Sequence, residues 1–66
     1  MNPIVKQVVV YTTDKNRFEF NRGDFPGLDT IINENTFCVT YKEEEEGGAA
    51  IQAFPWVHVL RTIERI

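Results

Sequence analysis

The chain contains no serine, one cysteine, one histidine and no apolar run of membrane-spanning length. Each absence removes a class of function. Without serine there is no serine nucleophile for hydrolysis. Cys38 stands alone, so no internal disulfide can form. Cys38 and His58 are too few for a soft-ligand metal centre, and neither C-x-x-C nor H-x-x-x-H spacing occurs. A bilayer span needs about 18 apolar residues in succession, and nothing here approaches that. Basic clusters are also missing. Seven Lys and Arg face ten Asp and Glu, for a net charge of −3, which weighs against generic nucleic-acid binding. Met1-Asn2-Pro3 has no basic region and Lys6-Gln7 interrupts the following apolar segment, so no signal peptide is expected. With a lone cysteine suited to a reducing compartment, the expectation is a soluble cytoplasmic protein that needs no cofactor.

What is present is core material. Five Phe, two Tyr and one Trp sit in 66 residues, and 42% of the chain is hydrophobic. That supports a single domain over residues 1–66. A chain this short buries only about 60% of its unfolded surface. Without disulfides or metal, stability must come from dense aromatic packing or from oligomerisation.

Residues 4–13 are rich in β-branched side chains and read as a strand. Val8 and Val10 share one face, Val9 and Tyr11 the other. Both faces are apolar, so a cover is expected on the second face as well, either the curl of a small barrel or a second subunit meeting Val9 and Tyr11. Asp14-Lys15-Asn16 is a turn. Residues 17–22 then alternate, with Phe18 and Phe20 inward and Arg17, Glu19 and Asn21 outward. Gly23 to Asp29 is a loop whose Phe25 and Leu28 fold back as a plug. Thr30-Ile31-Ile32 is a short candidate strand. Residues 36–42 alternate again, with Phe37, Val39 and Tyr41 on one face. Glu43 to Glu46 and Gly47-Gly48 form a charged reversal before a strand over 49–54.

The C-terminus has two readings. Pro55 stops a ladder because it has no N–H. One helical turn near 55–58 followed by a last strand is expected. The alternative is a four-stranded sheet with a helix over 55–66, because Trp56, Val59, Leu60 and Ile63 fall at helical spacing.

Short strands with a helical turn before the last, carried by Phe54-Pro55-Trp56-Val57-His58-Val59 leading into Leu60 to Glu64, resemble the SH3-like and Sm-like small barrels in architecture. The resemblance implies an all-β fold, a five-stranded antiparallel barrel. Such barrels host peptide binding, RNA binding and scaffolding, so the likeness does not choose among them.

Candidate contact residues follow from chemistry. Glu43, Glu44, Glu45 and Glu46 form either a patch that steers a basic partner or a solvated tip that discourages edge pairing. His58 has no nucleophile at a recognisable spacing. Arg61 and Arg65 share a face on a helix or a strand and form a small basic stripe. Phe25 and Trp56 flank prolines; each is a core lid or an exposed anchor of the kind enriched at binding hot spots. Gly23-Asp24-Phe25-Pro26-Gly27 lacks the spacing of a phosphate loop. The expected function is non-enzymatic binding through protein–protein contacts by a homo-oligomer, of the kind used by phage and mobile-element inhibitors of host proteins. The alternatives are an Sm-like module for RNA or a nucleotide, and a structural subunit of a larger assembly.

Overall fold

A computed structural model describes residues 4–43 and 48–66. Glu44, Glu45, Glu46 and Gly47 of the charged reversal lie outside the described residues. The elements are β1 (Gln7–Thr12), β2 (Arg17–Asn21), β3 (Asp29–Ile32), β4 (Thr36–Lys42), β5 (Ala49–Pro55), a 3₁₀ turn (Trp56–His58) and β6 (Val59–Arg65).

The fold is all-β. The strands form two three-stranded antiparallel sheets, ordered β2-β1-β6 and β3-β4-β5. This corrects the five-stranded barrel expected from the sequence. Thr30-Ile31-Ile32 does form a strand, which brings the described strands to six. No backbone ladder joins the two sheets among the described residues. Where β6 comes near β3, the link is a side-chain bond: the Thr30 hydroxyl donates to Glu64 Oε1 at 2.6 Å.

The alternative C-terminal helix does not form either. The 3₁₀ turn lasts three residues, and Pro55 offers it no side-chain cap. The β-branched Val59, Thr62 and Ile63 then pair along β1, with a register shift between Tyr11 and Thr12. Backbone pairing with the most buried strand outweighs a helical spacing that has no cap to start it.

The core lies between the sheets. Val8, Val10, Leu28 and Val39 are fully buried and Phe37 nearly so. These are the alternate residues of β1 and β4, with Leu28 inserted from the connecting loop. Phe25 joins it there: its ring centroid is 5.3 Å from Phe20 and 4.7 Å from Tyr41, both edge-on. At Gly27 the backbone is left-handed (φ +72°), and an added Cβ would meet the Lys42 stem at 3.2 Å. Only glycine meets both conditions without strain. Arg22 ties the loop down, donating from Nε to the Val5 carbonyl and from Nη2 to the Leu28 carbonyl, each at 2.6 Å.

On the other face of β1, Val9 is covered within one chain, while Gln7 and Tyr11 remain half-buried. Val9 is only 3% exposed. Its cross-strand neighbours are Glu19 on β2 and Ile63 on β6. The second apolar face therefore needs no second subunit to bury Val9.

Candidate functional site

The residues singled out in the sequence do not converge on one place. Phe25 is a half-buried plug. Trp56 is a half-buried lid whose ring lies 5.6 Å from Phe37, with Nε1 donating to the Asn33 carbonyl at 2.8 Å. Glu43 is exposed at the end of β4, its N–H donating to the Gly48 carbonyl at 2.9 Å. His58 ends the 3₁₀ turn, exposed, while its carbonyl accepts the Thr13 N–H at 2.9 Å. Arg61, Arg65, Tyr11 and Val9 do come together, on the outer face of β2-β1-β6.

That outer face is a grid of three rows set by the register: Asn21-Gln7-Arg65, Glu19-Val9-Ile63 and Arg17-Tyr11-Arg61. Polar side chains bond along and between the rows. Gln7 donates to Asn21 Oδ1 at 2.9 Å and accepts from Arg65 Nε at 2.8 Å. Arg17 pairs with Glu19 at 2.6 Å and donates to the Tyr11 hydroxyl at 3.3 Å. The guanidinium carbons of Arg17 and Arg61 lie 5.9 and 5.2 Å from the Tyr11 ring centroid, within cation–π range. Three arginines against one glutamate leave two positive charges on this face of a chain whose net charge is −3. The bond to Arg17 is the largest cause holding Glu19 below its ordinary carboxylate value.

A second feature is an open cleft of ≈ 400 Å³ lined by Thr12, Thr13, Asp14, Phe18, Phe54 and His58. Four parts of the chain build it. Thr12 ends β1, and the turn that follows is closed by the Thr12 N–H on the Asn16 carbonyl at 3.0 Å and the Lys15 N–H on the Thr12 carbonyl at 3.1 Å. Lys15 takes the left-handed conformation there (φ 70°). The turn is held from inside by Asp14, whose carboxylate accepts from the Thr12 hydroxyl and, at 2.9 Å, from Asn16 Nδ2. The Thr12 hydroxyl is also the largest cause keeping the Asp14 carboxyl below its ordinary value. Phe18 comes from β2 and Phe54 from β5, their centroids 5.3 Å apart. Phe18 remains 39% exposed, whereas Phe20, two positions on, is 7% exposed. The 3₁₀ turn supplies His58 as the remaining wall.

Of these lining residues only His58 was picked out as a contact from the sequence. Phe18 shares the inward alternation of Phe20, and nothing local says that it stops at a rim. The signal lay in the turn chemistry: Asp14 and Asn16 bracketing Lys15 fix a rigid corner beside an aromatic strand.

The outer face of the second sheet is different again. Along it lie Asp29-Thr40-Ile51 and Ile31-Cys38-Ala53. Ile31 and Ile51 are 47% and 62% exposed, and Cys38 is buried between neighbours. Among the described residues no group of three His, Cys, Asp or Glu is placed to hold a metal ion, and no helix is long and apolar enough to cross a membrane.

Comparison with protein families, with curated proteins and with solved structures finds no match to this chain.

Proposed function

We propose that this chain is a non-enzymatic binding module that acts through protein–protein contacts, with the cleft between the β1–β2 turn and the 3₁₀ turn as its contact site. The observation that carries this is the exposure of Phe18 beside Phe54 in a preformed cleft. A small domain with limited apolar surface gains most by burying every phenylalanine. One left at a concave rim, framed by rigid polar groups, has the composition of a recognition site. In this reading the two sheets are the halves of an incompletely closed SH3-like barrel. The module works by occupying a partner's surface, as an inhibitor would.

The Arg-rich outer face of β2-β1-β6 favours a second reading, an RNA or nucleotide module, because it gathers Arg17, Arg61 and Arg65 around Tyr11. One experiment separates the two. The chain is purified gently from a bacterial lysate, with and without nuclease, and weighed by native mass spectrometry alongside Phe18→Ala and Arg61→Glu. A bound protein of defined mass that survives nuclease and is lost from Phe18→Ala supports the cleft. Bound mass that disappears with nuclease, or with Arg61→Glu alone, transfers the function to the sheet face.

A further inference from the structure

We infer that the cleft takes a cationic side chain, a lysine or arginine presented by the partner protein, with its alkyl stem lying against the Phe18–Phe54 pair and its charge at Asp14. This rests on the reading of the cleft as the contact site and specifies what enters it.

Three features of the cleft agree on that occupant. Its volume of ≈ 400 Å³ is at the small end of ligand sites, which run from about 300 to 1,000 Å³, and has room for one long side chain with its adjoining backbone but not for a folded element. Its apolar walls are two phenylalanines, whose ring faces attract cations and whose surface accommodates a methylene stem. Its polar rim carries an ionised carboxylate that is already oriented. Asp14 accepts from the Thr12 hydroxyl on one oxygen and from Asn16 Nδ2 on the other, and each oxygen keeps a free lone pair. Because the carboxylate is fixed before binding, little ordering cost remains for the ligand to offset.

The charge at this rim is not neutralised internally. Among the described residues the ion pair within bonding distance is Arg17 with Glu19, on the outer sheet face. Asp14 is thus an exposed, anchored anion beside two aromatic rings, with no arginine or lysine seated on it among the described residues. An anionic ligand would meet Asp14 unfavourably. A purely apolar one would leave the remaining lone pairs of the carboxylate to water and its charge without a counter-ion.

The test is a titration of the ¹⁵N-labelled full chain with N-acetyl-argininamide and N-acetyl-lysinamide, against N-acetyl-norleucinamide as a probe with an alkyl side chain and no charge. Saturable amide shifts are expected at Thr12, Thr13, Asp14, Phe18 and His58. The cations should bind about fivefold to tenfold tighter than the neutral probe, and the difference should shrink as salt is raised. Asp14→Asn keeps an oxygen for the Thr12 hydroxyl and should abolish the preference. Phe18→Ala, which leaves the turn intact, should weaken all three probes. Equal binding of norleucinamide and the cations, in the wild type at low salt, would overturn the cationic occupant while leaving the cleft as a contact site. No cleft shift with any probe, together with partner capture unchanged in Phe18→Ala, would overturn both.

Discussion

Replacing Arg22 by methionine should destabilise the fold more than its half-buried position suggests. The methionine keeps an unbranched stem of similar reach and deletes only the guanidinium. Two bonds are lost, one to the Val5 carbonyl before β1 and one to the Leu28 carbonyl in the connecting loop, each 2.6 Å long. Hydrogen bonds to a charged group are worth about 1.5–3 kcal/mol each. Water can reach part of this site, so roughly half that total survives as net cost, about 1.5–3 kcal/mol. Leu28 is fully buried, and its carbonyl is the harder of the two to re-satisfy. For a 66-residue domain the whole folding free energy is about 3–10 kcal/mol, so the loss is a large fraction. At about 4–8 °C per kcal/mol in a domain this small, the melting temperature should fall by about 6–24 °C. Circular dichroism melts and urea titrations read both quantities. Arg22→Lys restores the charge without the planar fork and should recover less than half. A melting temperature within about 3 °C of wild type for Arg22→Met, with an unchanged urea slope, would refute the reasoning. It would mean that water replaces the bridge and that the Leu28 side chain alone anchors the loop.

Trp56→Ala should cost about 2–3 kcal/mol, less than the roughly 3–5 of a fully buried aromatic because the ring is half exposed; Trp56→Phe should lose about 1 kcal/mol, the value of the donor to the Asn33 carbonyl. If urea titration shows the alanine variant as stable as wild type but unable to hold a partner, Trp56 is a contact rather than a lid. Stability should also fall in acid. Asp14 and Glu19 are held below their ordinary values of 3.8 and 4.5, so the stabilisation they give is complete above those values and is lost as pH drops through the lowered ones. Melting temperatures from about pH 6 down to about pH 3 should decline less steeply in Asp14→Asn/Glu19→Gln, and an equal decline would place the acid sensitivity elsewhere. Val9→Glu puts a carboxylate at a 3% exposed position directly opposite Glu19. It should destabilise the chain by about 2–4 kcal/mol without changing its sedimenting mass; release of folded monomers from an oligomer would instead put Val9 at a subunit interface.

Local chemistry marked out most of the elements. Alternation in Phe18-Glu19-Phe20 and in Phe37 to Tyr41 gave strands with defined faces, because side chains on a strand alternate by geometry alone. Asp14 and Asn16 marked the turn, and Pro55 marked the end of β5 and the 3₁₀ turn that follows. The Phe25 and Leu28 plug was legible because two apolar residues in a Gly- and Pro-containing loop have few other places to go. The helical spacing of Trp56, Val59, Leu60 and Ile63 misled in one of the two readings of the C-terminus. Periodicity reports which residues can share a face, not which backbone pairing is open to them.

The site itself was barely visible. Phe18 and Phe54 are 36 positions apart, and their rings meet at 5.3 Å only because β2 and β5 sit at corresponding ends of facing sheets. The cover over Val9 has the same origin, since Glu19 and Ile63 reach it from strands on either side of β1. From residue identities and spacing alone came the all-β class, the faces of the longer strands, the turns and the exclusion of serine and disulfide chemistry, all of which depend on near neighbours in the chain. Tertiary structure alone decided the division into two sheets, the burial of Val9, the bridging role of Arg22 and the cleft at Asp14, because each depends on which distant strands pair and in what register.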